Sequence, residues 1–377
     1  MRITRFEAFR IKIPFKLKYV HAEAGREEGE NVVVRVCSDG TMTGIGETIP
    51  REYLTGETPA SVMDSLMDTF APRVVGATFA DFEHVLSFLS DMVEMAHERL
   101  VEAAFCALDL AMIDLAGKYF LKPASHAIGG VERRKIYYTG PVSGEGRWST
   151  AKTALKLRLA RFSQLKVKVG VGDDEARLSL VRRIMGRKVD VRVDANCAWH
   201  PEQAVEAIER MKPFGISSVE QPVAGGDFEG LRFVRRRCGL PIMADESLCT
   251  LSDARLLAEM GACDIFNVRL AKCGGITGSL KVLEIARENN IKCQLGCLVG
   301  ETSILAAAGR HFAFAVPELL HVEGSYSRHL LSIDIASPRL GFGLKGVATP
   351  LQGYGLAVHL DEQALARCTV ERKSIGE

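Results

Sequence analysis

The segments QLKVKVG (164–170), DVRVDANCAW (190–199), SVEQPV (218–223), IMADES (242–247) and IFNVRLAKCGGITG (265–278) decide the fold of this chain. In each, a short apolar run stops at a charged residue, and Lys168, Asp194, Glu220, Asp245 and Lys272 follow at intervals of 26, 26, 25 and 27 residues. Such an interval holds one strand and one helix, and helical stretches of about 10 to 15 residues fill the gaps. Further apolar runs at Lys135–Thr139, Lys292–Leu295 and Leu319–Val322 flank the five and bring the expected strands to eight. Repeated βα units make a parallel sheet, and eight of them close into a barrel more readily than they spread into an open one. No glycine-rich nucleotide loop follows the first strand, so a dinucleotide or ATP fold is disfavoured. In a barrel the five charged ends share the C-terminal rim, where catalytic residues of this architecture sit.

Upstream the pattern differs. Ile3 to Ile13 and Asn31 to Val36 read as strands, and a Ser-Asp-Gly turn leads to a third at Gly44–Thr48, an antiparallel meander. From Pro59 the spacing turns helical, and Arg99–Tyr119 reads as a long helix with Leu100, Ala104, Leu108, Ala111 and Leu115 on one side. An α+β unit therefore precedes the barrel and ends near residue 130.

The 377 residues are 47% apolar and 25% charged, ordinary globular usage that disfavours disordered, collagen-like and disulfide-scaffold classes. Forty-eight basic against 47 acidic residues, with no like-charge block beyond Arg235–Arg237, argue against a nucleic-acid groove or a polybasic membrane surface. The expected partner is a small molecule. The opening segment lacks the apolar run of a signal peptide and no window of about 20 apolar residues follows, so the chain reads as cytoplasmic. Ten cysteines scattered through apolar segments fit small buried side chains in a reducing compartment, and Cys293 and Cys297 lack the second pair a zinc site needs.

Three carboxylates brought to one rim, Asp194, Glu220 and Asp245, are tolerable only beside a cation. Ligation by oxygen alone means a hard ion, Mg²⁺ first, with Mn²⁺ as the other candidate. Lys166 and Lys168 alternate with Val167, so both point into the barrel, and their mutual repulsion should lower the pKa of at least one towards that of a general base. Lys272 ends a strand about half a barrel away and could face the same carbon from the other side. Glu323, after the eighth strand, and Glu301, after the seventh, could each reach the site or serve as a cap or ion-pair partner. His200, His311, His321 and His329 show no metal-type spacing and read as structural, Trp199 reads as packing, and no G-x-S-x-G elbow is present.

KVKVG, DVRVDANCAW, SVEQPV, MADES and NVRLAKCGGITG, in that order, resemble the barrel motifs of the enolase superfamily, specifically its muconate-lactonising subgroup. The GIGET segment (44–48) and the ALDLAMIDLAGK helix (107–118) extend the likeness to the whole chain. The resemblance implies an α+β capping domain over 1–130, completed by the tail from about 345 to 377, and a (β/α)8 catalytic domain over 131–344. It also implies a homo-oligomer, a dimer or octamer. It places Mg²⁺ on Asp194, Glu220 and Asp245 and makes Lys168 and Lys272 the acid/base pair. Lys166 would hold the substrate carboxylate and stabilise an enediolate, Asn196 would support that end, and Glu246 would orient the metal or a lysine. Selectivity is expected in segments 19–31 and 51–58, with His21, Arg51 and Tyr53 as candidates.

The dipeptide epimerases of the subgroup usually carry Asp-x-Asp at the eighth strand, where this chain reads Glu323, Gly324, Ser325. A single glutamate there looks more like the cycloisomerases, whereas KCGGI and CQLGC look more like the epimerases. The reading therefore leans to a lactonising cycloisomerase acting on a small carboxylate, with racemisation or epimerisation of N-acyl amino acids or dipeptides as the alternative. A mandelate-type histidine base is missing from strand seven, which ends in Gln294, Leu295, Gly296. A Schiff-base aldolase using Lys168 or Lys272 is the remote alternative from a different chemistry.

Overall fold

The computed structural model describes residues 1–20, 25–143 and 146–376. An antiparallel sheet of four strands forms the N-terminal layer: Ile3–Val20, Gly25–Ser38 and Thr43–Thr48 as a meander, with the C-terminal strand Thr369–Gly376 added beside the first. Glu102–Tyr119 lies against this sheet and is buried on nearly every side. The one-sided pattern read from the sequence understates this, because the helix also packs on the barrel helix Gly275–Glu288. Leu100, expected on its buried face, lies outside it with positive φ and is 60% exposed.

Gly44 and Gly46 explain how helix and strand approach. A Cβ at Gly46 would collide with the carbonyl oxygen of Ala107, and one at Gly44 with that of Ala111. Only glycine lets the helix backbone lie on this strand.

The second layer is the barrel. Gly140–Val142, Gln164–Lys168, Asp190–Asp194, Val219–Glu220, Ile242–Ala244, Ile265–Val268 and Lys292–Leu295 form one parallel sheet in chain order. Val322 closes it, bridging to Leu295 on one side and to Tyr138 on the other, which makes the eighth staff of a TIM barrel. The expected first strand lies slightly early. Ile136–Tyr137 pairs instead with Val347–Ala348 in an antiparallel ladder, and the barrel strand begins after it.

Period-two alternation decides what faces inward. Leu165 and Val167 are buried outward under the helices, while Lys166 and Lys168 point to the interior. Four of the barrel helices start on side-chain caps, Asp173, Asp227, Thr250 and Thr302 each accepting a backbone N–H of the first turn. Eight of the ten cysteines are buried, and among the described residues no helix is long and apolar enough to cross a membrane.

Buried carboxylates from the N-terminal layer join the two layers. Asp109 accepts from the backbone N–H of Ile276 (2.7 Å) and bonds the Thr277 hydroxyl, at the N-terminus of Gly275–Glu288. Glu47 does the same for Ser303–Ala315, accepting from Thr302 N, Thr302 Oγ1 and Leu305 N at 3.1, 2.7 and 3.0 Å.

Candidate active site

Register places the charged rim. Lys168 pairs with Asp194, Asp194 with Glu220, and Asp245 follows two residues after the partner of Glu220. A cavity of about 520 Å³ opens over these strand ends. Lys166, Lys168, Asp194, Asn196, Glu246, Glu301 and Glu323 line it, and Arg51 and Tyr53 contribute from the N-terminal layer. His329, read from the sequence as structural, lines it too. The expectation for His21 lies outside the described residues.

The three carboxylates are all buried, and none stands alone. Lys166 Nζ lies 3.1 Å from Asp194, 2.7 Å from Glu220 and 3.3 Å from Glu323. Arg269, which sequence reasoning passed over, bonds Asp245 and reaches Glu220 at 3.6 Å. Among the described residues no group of three or more His, Cys, Asp or Glu is arranged to hold a metal ion. The strand ends bring Asp194, Glu220 and Asp245 to one rim, where their buried charges are countered by Lys166 and Arg269. The donor chemistry nonetheless fits a hard divalent ion. Glu220 Oε2 and Glu246 Oε2 are buried without a hydrogen-bond partner, and oxygen atoms in that state call for a cation or a proton.

The lysines differ. Burial pushes Lys166 down, but Asp194, Glu220 and Glu323 outweigh it and hold its ammonium well above the usual range. Repulsion from Lys168 therefore does not make Lys166 a base, because three carboxylates face it at contact distance. Lys168 sits at the mouth, bonded to Asn196 Oδ1 and 3.9 Å from Asp194. Asn196 also donates to Glu246 at 3.0 Å, so it positions Lys168 against Glu246. Lys272 is fully buried behind Asp245, with Nζ 2.9 Å from Oδ1, and does not line the cavity. Burial lowers its pKa, yet Asp245 raises it further and keeps it an ammonium. Burial likewise pushes Asp245 up, but Arg269 and Lys272 hold it below the ordinary carboxylate range.

Glu323 is not a free acid at the rim. Lys166 and Arg192 are register neighbours on adjacent strands, two cations side by side, and Arg192 is fully buried. Glu323 lies between them, 2.9 Å from Arg192 and 3.3 Å from Lys166. Its neighbour Ser325 donates to the Tyr138 hydroxyl at 2.9 Å. Glu301 accepts from Leu298 N at 2.7 Å, and burial pushes its pKa up to about 8.

Residues 149–364 match the family described as enolase C-terminal domain-like. The chain is 32% identical over 317 residues to a hydrophobic dipeptide epimerase of Enterococcus faecalis, covering 84% of this chain and 88% of that one. A crystal structure of a dipeptide epimerase from Enterococcus faecalis V583, complexed with Mg and the dipeptide L-Leu-L-Tyr, superposes with a TM-score of 0.84 at 29% identity, covering 95% of this chain and 99% of that one. The structure of the N-succinyl Arg/Lys racemase from Bacillus cereus gives 0.89 at 26%, over all of both chains. Muconate cycloisomerase 1 of Rhodococcus opacus is 27% identical over 375 residues, 98% of this chain and 99% of that one.

Proposed function

Since the chain belongs to the enolase superfamily, within its muconate-lactonising subgroup of isomerases, we propose that it racemises or epimerises an amino-acid derivative by moving the proton α to its carboxylate. The observation that carries the reading is Lys168 in the cavity wall beside buried carboxylates, with Lys272 buried behind Asp245. Relatives at 32% and 28% identity named as a dipeptide epimerase and an N-succinyl-L-Arg/Lys racemase support this over lactonisation. The lean towards a cycloisomerase rested on a single glutamate, Glu323, standing where the epimerases carry Asp-x-Asp, and the epimerases and racemase among the relatives weigh against it.

Asp194, Glu220 and Asp245 would hold Mg²⁺, with Glu246 beside them. When bound, the ion supplies positive charge to the substrate carboxylate as electrons move into it. Lys166, locked as an ammonium, donates to the same carboxylate and stabilises the enediolate charge, which is greatest in the intermediate and its flanking transition states. Lys168, oriented by Asn196, takes the α-proton from one face. Lys272, released from Asp245, returns a proton to the other face, so the stereocentre inverts with no net change in atoms. In the reverse direction the two amines exchange roles. Arg51 and Tyr53 line the same cavity from the N-terminal layer.

The test is exchange of the α-proton in D₂O, followed by ¹H NMR with Mg²⁺ present, on N-acyl amino acids and dipeptides. Deuterium should enter at the α-carbon as optical rotation decays. Loss of ultraviolet absorbance from an unsaturated diacid, with no such exchange in the amino-acid series, would refute the proposal in favour of lactonisation.

A further inference from the structure

The first helix of the barrel layer, Gly146–Leu159, carries an apolar line on its solvent side. Thr150 and Ala154 are buried against the barrel, while Trp148, Leu155 and Leu159 are 91%, 51% and 71% exposed. With Lys152 these three stand at i, i+4, i+7 and i+11, a single file along the outer face. A tryptophan and two leucines in file have the composition of an interface centre, unlike apolar residues scattered singly over a surface. The charge around them has one sign. Residues 146–163 hold five cations, Arg147, Lys152, Lys156, Arg158 and Arg161, and no acid. Arg158 bonds the carbonyl of Ile184, but Lys152 and Lys156 are exposed and have no ion-pair partner among the described residues. Two such faces repel each other, so what covers this one must be acidic.

The chain itself supplies such a face. Residues 52–98 hold nine acids against one base, Arg73. Helix Phe82–Glu98 buries Val85, Leu89, Met92 and Val93, which leaves Asp91, Glu94 and Glu98 exposed at i, i+3 and i+7. Glu94 pairs with Lys281 at 2.6 Å, whereas Asp91 and Glu98 make no ion pair among the described residues. At a formal net charge of +1 two whole copies barely repel, while these two unlike faces attract. We infer that Gly146–Leu159 docks the acidic helix Phe82–Glu98 of a second copy of this chain. Lys152 and Lys156 meet its carboxylates, and Trp148, Leu155 and Leu159 are covered at the centre of the contact. The docking is independent of the reaction catalysed at the rim.

Sedimentation velocity over a range of protein concentrations, in about 50 mM and about 500 mM NaCl, is the test. The wild-type chain should form a species heavier than one protomer, and the higher salt should weaken it. Lys152→Glu with Lys156→Glu, and separately Asp91→Lys with Glu98→Lys, should each raise the dissociation constant by about tenfold or more. All four side chains are exposed, so both variants should keep a cooperative melt by circular dichroism. Mixing the two variants should restore assembly, because each presents the charge that the other's facing helix now needs. A wild-type chain that stays a single protomer throughout overturns the inference, and its sedimentation with phosphatidylglycerol vesicles would then assign the face to a lipid surface. Assembly that survives both variants, or that the mixture does not recover, overturns the pairing of these two helices.

Discussion

Replacing Glu47 with glutamine should flatten the pH dependence of stability by a calculable amount. The carboxylate is fully buried where the N-terminal sheet meets the barrel, and besides Thr302 and Leu305 it accepts from Asn31 Nδ2 at 2.6 Å. Burial outweighs these donors and raises its pKa from 4.5 to about 7. A carboxyl group whose pKa is higher folded than unfolded contributes stability that is fully present below pH 4.5 and is lost as pH rises through 7. With those two values the unfolding free energy falls by about 2.5 kcal/mol between pH 5 and pH 8. At about 2.1 cal/mol/K of unfolding entropy per residue, that is about 3 °C in Tm for a chain of this length. Glutamine cannot ionise, so Glu47→Gln should lose that part of the slope. It should also be less stable at pH 5, because its amide NH₂ meets donors where the acid offers acceptors. Calorimetric melts of both proteins at pH 5, 6, 7 and 8 at fixed ionic strength are the assay. Identical slopes would refute the reasoning, since Glu47 would then be ionised throughout and its donors would outweigh burial. Asp109, also raised to about 7 by burial, gives a second and independent instance of the same sign.

Asp194→Asn, Glu220→Gln and Asp245→Asn should each weaken Mg²⁺ binding in a calorimetric titration and abolish exchange, while removing charge from a crowded cluster leaves the fold in place; wild-type affinity in any one removes that ligand. Lys168→Ala and Lys272→Ala should each cost at least about 10²-fold in kcat, yet each should still exchange the α-proton of one stereoisomer, and loss with both isomers in both variants would leave two-base catalysis unsupported. Glu57 accepts from Ala103 N and Ala104 N at 2.7 and 3.0 Å, capping Glu102–Tyr119 from the segment that carries Arg51 and Tyr53. Glu57→Ala should cost about 1–2 kcal/mol in a denaturant melt and raise KM more than it lowers kcat; an unchanged KM would separate the cap from the cavity wall.

The barrel and its rim were legible because both rest on period. A 26-residue βα repeat fixes where strand ends fall, and two-residue alternation fixes which way Lys166, Lys168 and Asp194 point, whatever surrounds them. The eighth strand was harder to place, since Val322 contributes only bridges, and the long helix was misread as one-sided because its second buried face depends on the barrel packing behind it. The glycines of GIGET were seen as a motif, but their reason, a helix carbonyl over each absent Cβ, is a contact 61 to 67 residues away in the chain.

What stayed hidden in the site is the counter-charge, and one signal for it was present. Two residues before a rim position on the same strand is one layer deeper in the barrel, pointing the same way. Applied to QLKVK, that rule finds Lys166 beneath Lys168; applied to DVRVD, it finds Arg192 beneath Asp194. Because the two strands pair in register, the two deeper cations are neighbours, so a buried acid must come from elsewhere to separate them. Glu323 is that acid, fixed by its partners before any substrate arrives. A rim carboxylate read alone looks like a hand held out to a ligand. Read with the layer below, it belongs to the scaffold, held by Lys166 and Arg192.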